Sequence, residues 1–459
     1  MRLRILAATA GGAALFLAAL DFSINVSLPV FRDSLNETLV TVQWIIIVYH
    51  AARSGTGFIA GHLADTIGLK RVLLAGIILY TVSVAIISLQ ESLAPIVGMR
   101  VPQGIGVAIL FTVGPAIVAK AFGPERRGTA LGVTLAAMGA GQMAGTLGGG
   151  WLSLNIGWEA IFWARVPIGI ATFALVAFGV RESKRARIGF DLTAAAAIFL
   201  FLFMLVLAFS FARIDGWLAL RPLALYAVTI VIGVVMAWRQ RVSLHPVFPI
   251  SLLHIPQFRA GVASNLVVTI GTFVMWFLFP FFVTDVLGRS TLALGALLAT
   301  MASATLLGSS TGGWFADRTG DSKTTVLGAA VAAGGLWFAG SMTGATQLLV
   351  VFAAVGLLGF GFGVHQAAVY ALTLRRTETR YAGSASAALA VAQTVGTVLS
   401  ISIMTSVLAL RERQFAAGDG SLASPFLSAY GDVLLIAAVV TLVGGMIALA
   451  SRQRPEQDR

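Results

Sequence analysis

The sequence predicts an all-α integral membrane protein that crosses the bilayer about fourteen times, as two six-helix bundles with two helices inserted between them. Three observations predict this. Of 459 residues 58% are hydrophobic and only 11% charged, with a mean hydropathy of +0.91, where soluble domains carry roughly 25% charge. The apolar residues come in successive stretches of the ~20 that a spanning helix needs, because backbone amides in hydrocarbon must pair within their own helix. Finally, one short segment recurs 252 positions further on.

The apolar runs fall near 8 to 31, 40 to 62, 71 to 90, 95 to 119, 128 to 152 and 158 to 180. Two follow near 192 to 211 and 221 to 238, and six more near 262 to 285, 292 to 315, 324 to 342, 348 to 373, 383 to 409 and 430 to 450. Arg2 and Arg4 precede the first run, which is too long for the core of a signal peptide and is read as a retained span. An even total puts both termini on one side. Cytoplasmic segments retain Lys and Arg. With the termini inside, inner segments hold 22 of the 31 basic residues and outer segments 6, while Arg53, Arg100 and Arg165 fall within spans. Both termini are therefore predicted to be cytoplasmic, in the inner membrane. The formal net charge of +12 would suggest nucleic acid in a soluble protein, but these charges sit in short loops between apolar runs, which argues against that partner. The chain has no cysteine, so disulfides and thiolate metal sites are excluded.

The repeated segment reads Gly61-His-Leu-Ala-Asp65-Thr-Ile-Gly68 after the second run and Gly313-Trp-Phe-Ala-Asp317-Arg-Thr-Gly320 after the tenth. Two homologous halves with an inserted pair explain the offset. The expected division is an N-terminal bundle over 1–182, two inserted spans over 183–245 and a C-terminal bundle over 246–459. In the first copy Gly61 and Gly68 are expected to permit a tight turn, Asp65 to cap the next helix or bond across a gate, and Lys70 and Arg71 to anchor the inner surface. Asp317 and Arg318 are their counterparts.

Together these residues resemble the major facilitator superfamily, specifically its fourteen-helix drug/proton antiporter branch, and the resemblance covers essentially the whole chain. Gly61 to Arg71 is similar to the family signature between helices 2 and 3, which implies a gating role. Arg100-Val-Pro-Gln103-Gly104-Ile-Gly106 resembles the fourth-helix motif, whose Arg is associated with proton coupling. Gly141-x-x-x-Gly145-Thr146-x-x-Gly149-Gly150 resembles the fifth-helix antiporter motif, except that the family has Pro at the position of Thr146, so the bend a proline imposes is not expected. Leu20-Asp21-Phe-Ser-Ile-Asn25-Val-Ser-Leu-Pro29 resembles the first-helix motif but is one residue shorter between Asp and Asn. Either Asp21 is displaced by ~100° around the helix or the helix is locally tightened. The run from Gly157 to Gly169 also matches, with Arg165 where Asn is more usual.

An ionisable residue inside a bilayer is costly and marks function by default. Asp21 is expected ~20 Å into its span and Arg100 ~8 Å below the outer boundary, so the two lie at similar depth and a pair between them is expected to carry proton coupling. Further candidates for the pathway are Asn25, His50, Arg53, Gln103, Gln142, Trp276, His365 and Tyr370. Arg165 is expected to snorkel to the interface or to pair with Glu159. Gly141, Gly145, Thr146, Gly149 and Gly150, with Gly308, Gly312, Gly359, Gly361 and Gly363, are expected to pack helices closely. Of the aromatics around Pro280, most are expected to face lipid. Asp21 is the lone deep carboxylate against Arg53 and Arg100, which favours a neutral, zwitterionic or anionic lipophile over a dication.

The resemblance thus implies a proton-coupled exporter of small lipophilic compounds working by alternating access, with a small molecule, protons and the bilayer as partners and no cofactor or metal. Whether an envelope adaptor extends the route is left open. The rival on the same fold is a facilitator-type importer or dedicated metabolite carrier. No GxxxxGK[ST] loop, HExxH pair or cysteine cluster is present, so an enzyme is not expected. Because native thiols are absent, the topology can be read by labelling: cysteines placed at Ser183 and Ser322 are expected to react from the cytoplasmic side and one at Ser421 from the outside, and the reverse pattern refutes the orientation.

Overall fold

Apolar runs of spanning length fold as helices because no other local structure pairs every amide without water. The computed structural model describes residues 2–122, 127–182, 192–242, 250–375, 377, 382–417 and 425–451, and no strand occurs among them. The N-terminal part comprises α1 (Arg2–Ala19), α2 (Ser23–Ser34), the one-turn α3 (Leu39–Val42), α4 (Trp44–Ile67), α5 (Leu69–Ile87), α6 (Leu93–Phe122), α7 (Arg127–Asn155), the short α8 (Ala160–Trp163) and α9 (Arg165–Gly179). The middle pair is α10 (Leu192–Asp215) and α11 (Leu220–Val242). The C-terminal part comprises α12 (Pro256–Phe281), α13 (Thr291–Thr319), α14 (Asp321–Gly340), α15 (Leu348–Leu374), α16 (Ala382–Ala417) and α17 (Pro425–Ile447). Among the described residues ten helices are long and apolar enough to cross a membrane. Helices α4, α7, α10 and α14 occupy the other four expected spans; α4 carries His50 and Arg53, and α7 is dense in glycine. The expected division points near 183 and 245 lie outside the described residues.

Packing separates two bundles. In the first, α6 lies against α1, α4 and α5, α7 against α1 and α2, and α9 against α1 and α5; in the second, α15 lies against α13 and α14, and α12 against α16 and α17. The bundles meet through α7 with α13, α4 with α16, and α2 with α12 and α13. Helix α10 packs on α4 and α16, one from each bundle, while α11 holds to α10 and leaves most of its surface exposed.

The repeated segment is helical rather than a loop. Helix α4 runs through to Ile67, and α13 through to Thr319, so each turn reduces to one residue. That residue is Gly68 (φ 118°, ψ 141°) in one copy and Gly320 (φ 93°, ψ 145°) in the other, a backbone region open essentially to glycine alone. The expectation that Gly61 also shapes the turn is corrected: it sits within α4, where an added Cβ would merely touch Thr112 at 3.6 Å. Asp65 falls on the last turns of α4, and its side chain lies outside the described set.

A second correction concerns α12. Phe277, Phe279, Phe281 and Phe282 are fully buried rather than lipid-facing. The reason is position: α12 is surrounded by α2, α15, α16 and α17, so it has little outer face to offer. Past Pro280 the helix continues into a π turn over Phe282–Val286.

Glycine sets the closest approaches. A Cβ on Gly312 would lie 2.7 Å from Val364 Cα, and one on Gly335 2.5 Å from Leu358 N; Gly308, Gly359 and Gly363 bring α13 and α15 into similar backbone contact, and Gly361 meets α14. On the same helix Gly356 has nothing within 4 Å. Gly363→Leu is therefore expected to wedge α13 from α15 and cost about 1–3 kcal/mol, seen as a lowered melting temperature of the purified protein, whereas Gly356→Ala leaves the melting temperature unchanged or slightly raised.

Candidate functional site

The first span resolves its shortened motif by tightening. A 3-10 turn, Leu20–Phe22, joins α1 to α2 and places Asp21 at the break; its three residues per turn wind the backbone more tightly than the flanking α-helix. Helix α7 is pressed against this break by its glycines. A Cβ on Gly145 would come within 2.7 Å of the Leu20 carbonyl oxygen, and one on Gly149 within 2.5 Å of Ser23 Cβ, while Gly141 abuts Phe16. The last glycine of the set points elsewhere: Gly150 meets Thr291 of α13, whose hydroxyl donates to the Gly150 carbonyl at 3.0 Å. Thr146, fully buried, donates its hydroxyl to the carbonyls of Gln142 and Met143 in its own helix, and α7 continues unbroken through it. Its own carbonyl lies against Gly295.

Asp21 is 7% exposed, and one of its oxygens gathers three donors. Oδ1 accepts from Arg165 Nη1 at 2.6 Å, from Gln103 Nε2 at 2.9 Å and from the Tyr80 hydroxyl at 3.1 Å. Oδ2 is buried and has no hydrogen-bond partner. The ion-pair partner is thus Arg165, 3% exposed, and not Arg100. Arg165 is the first residue of α9, just past the break after α8. That position aims its guanidinium at the 3-10 turn, where it also donates to the Leu20 carbonyl at 3.2 Å and to the Ser23 hydroxyl. The expectation that it snorkels or pairs with Glu159 is corrected on that geometry.

Arg100 is 2% exposed and reaches the carboxylate only through Gln103. Its Nη1 donates to Gln103 Oε1 at 2.7 Å, its Nε to the Ile45 carbonyl at 2.8 Å, and its guanidinium lies 4.1 Å over the Tyr49 ring. Five elements therefore meet in one polar chain, from α4 through α6 to the 3-10 turn, with α5 and α9 alongside. Charge balance was the signal available in the sequence: Arg165 needed an acid as much as Arg100 did, and Asp21 was the deep carboxylate at hand.

The remaining candidates divide. His50 on α4 sets its ring edge-on to Phe273 of α12, with centroids 5.7 Å apart, and Trp276 lies 5.2 Å from Phe22, so both join the two bundles. Arg53 lies over the Phe111 ring at 4.6 Å, and Tyr370 sits on α15. Gln142 is half-buried on α7, and Asn25 is buried on α2. His365 is fully buried between α14 and α15, its Nδ1 3.3 Å from the Thr325 carbonyl and its backbone against Gly328.

At the end of the bundle that carries Arg32, the halves are tied by a two-point ion pair. Arg32 Nη1 lies 2.5 Å from Asp285 Oδ2 and Nη2 3.2 Å from Oδ1, with the guanidinium 5.3 Å over Phe281. At the opposite end, the ties among the described residues lie within each half. Lys70 Nζ donates to the Ala177 carbonyl at 2.6 Å and Arg71 pairs with Glu182 at 3.6 Å. Asp317 and Asp321 both hold Arg375 at the end of α15. Arg318 instead covers the Trp314 ring at 3.7 Å.

Residues 11–401 match the family described as Major Facilitator Superfamily. The chain is 27% identical over 349 residues to the tetracenomycin C resistance and export protein of Streptomyces glaucescens, covering 74% of this chain and 65% of that one. It is 31% identical over 156 residues to the riboflavin transporter RibZ of Clostridioides difficile, covering 34% of each. The chain thus spans less than two thirds of the length of these relatives. In fold it is similar to a bacterial homologue of the human lysosomal transporter Spinster, solved in an inward-facing and unoccupied conformation, with a TM-score of 0.69, 15% identity and 99% of both chains covered.

Removing one member of a buried ion pair strands the other. Arg165→Gln is expected to destabilise the protein by about 3–5 kcal/mol, and to do so far less in an Asp21→Asn background. Thermal melting of the native protein, both single variants and the double variant closes the cycle; additive effects would refute a direct Asp21–Arg165 coupling.

Proposed function

We propose, from the premise that the chain belongs to the major facilitator superfamily, a family of membrane transporters, that it exports small lipophilic compounds by proton antiport with alternating access. The observation that carries this reading is the Asp21 carboxylate, held through Oδ1 by three donors while the buried Oδ2 takes none. A proton bound at Oδ2 would neutralise the carboxylate and weaken its hold on Arg165, which also grips Leu20 and Ser23. One protonation event thereby reaches α9 and the joint between α1 and α2. The chain through Gln103 carries the same change to Arg100 and the Ile45 carbonyl of α4.

The rest of the cycle follows from the contacts between halves. In this reading fourteen helices span the inner membrane with both termini in the cytoplasm, and the Arg32 end faces outward, closed by the Arg32–Asp285 pair and the Phe22–Trp276 contact. Opening that end breaks the pair. The surfaces that slide are the glycine contacts, Gly150 against Thr291 and Gly295 against Thr146, where backbones meet directly and the one side-chain tie is the Thr291 hydroxyl on the Gly150 carbonyl. Gly68 and Gly320 set the turns at the cytoplasmic end, and Lys70, Arg71, Asp317 and Asp321 brace them within each half.

A second reading, a dedicated metabolite carrier or facilitator-type importer, is favoured by Thr146 in the place of proline and by the similarity to a riboflavin transporter. Transport separates the two. In inside-out vesicles, adding a panel of lipophilic compounds is expected to drive proton release by the native protein and none by Asp21→Asn. Accumulation of compound without proton movement would refute antiport, and uptake in whole cells without export would select the second reading.

A further inference from the structure

We infer that Arg53 is the recognition point for the transported compound, and that the compound is a flat aromatic molecule carrying a negative charge, a carboxylate or phenolate. The inference deepens the proposed function and rests on its reading that the route runs between the two halves.

Arg53 is the tenth residue of α4, so it lies ~14 Å from the Trp44 end and ~21 Å from the Ile67 end, well inside the membrane. It is half-buried, and among the described residues no acid forms an ion pair with it. The one deep carboxylate, Asp21, is already occupied by Arg165, Gln103 and Tyr80. The nearest acid along α4, Asp65, is twelve residues and ~18 Å away. A guanidinium over one phenyl ring recovers too little to offset its placement at this depth. Its neighbours suit a ligand rather than a structural role. Phe111 stands on one side, and His50 lies one turn away on the same face, closing against Phe273 of the other half. Arg53 therefore sits just beneath the aromatic layer that joins the halves, where a compound rising from the Gly68 end would stop.

Charge decides the class. Arg53, Arg100 and Arg165 face a single carboxylate in this region, so the field repels cations and attracts anions. The planar guanidinium matches a carboxylate with two parallel bonds, and the surrounding rings stack on an aromatic body.

The test is binding to purified protein in nanodiscs of zwitterionic lipid, which needs no transport. Two fluorescent probes of one shape are compared, anthracene-2-carboxylate and its neutral amide. Native protein is expected to prefer the carboxylate by about tenfold or more, the effect of one charge-assisted hydrogen bond. Arg53→Gln should bring the two within about twofold, Arg53→Lys should keep part of the preference, and Phe111→Leu should weaken both probes. Melting temperatures identify any variant that fails to fold, and the Lys variant then carries the comparison. Equal binding of both probes by native protein, or a carboxylate preference that survives Arg53→Gln, overturns the inference. So does displacement of the carboxylate by phosphatidylglycerol but not by free 2-naphthoate, which assigns the site to a lipid headgroup. If the probes behave as expected while vesicles show no proton release, the recognition site stands and the antiport reading falls.

Discussion

A single carboxylate oxygen ties together the helices of the N-terminal half. Asp21 Oδ1 receives Arg165 from α9, Gln103 from α6 and Tyr80 from α5, and Gln103 passes the contact on to Arg100 and the backbone of α4. Burying an ion pair is not in itself stabilising, because each charge gives up its hydration. What makes this one tolerable is that the guanidinium also finds a carbonyl and a hydroxyl, leaving Oδ2 as the unsatisfied atom.

That junction depends on how closely backbones can approach. The 3-10 turn carrying Asp21 lies against Gly145 and Gly149, and any larger residue there would push α7 off the turn. The same helix turns Gly150 and Thr146 toward α13. Helix α7 thus connects the charged junction of one half to the surface of the other, through close main-chain contacts to which the Thr291 hydroxyl adds a hydrogen bond. Such surfaces resist shear less than interlocked side chains do, since no knob must leave its hole.

The two halves share their turns but not their chemistry. Gly68 and Gly320 adopt matching positive-φ conformations at equivalent places. Yet the deep charges, Asp21, Arg53, Arg100 and Arg165, all belong to the first half, whereas the second contributes rings and buried hydroxyls. Its one deep histidine, His365, faces α14 rather than the first half. The structure accordingly sets a half that carries the deep charges against one lined with rings.

Composition and spacing by themselves determined that this chain is helical and spans a membrane, because apolar runs near 20 residues have no other way to satisfy their amides. They also determined the two-half repeat and the polar positions to examine, since a charge or a patterned glycine within such a run is visible without coordinates. The shortened first-helix motif announced a distortion at Asp21 but not which of two it was; only the packing of α7 selects the 3-10 turn. Which arginine pairs with Asp21 was decided by the break between α8 and α9, which aims Arg165 at the carboxylate while Arg100 spends its donors on Ile45 and Gln103. The burial of the α12 phenylalanines and the turning away of His365 were likewise tertiary facts, for the face a spanning helix buries depends on neighbours hundreds of residues away. Periodicity identifies a helix in the bilayer, but in a bundle where both lipid and core are apolar it does not say which side is inside.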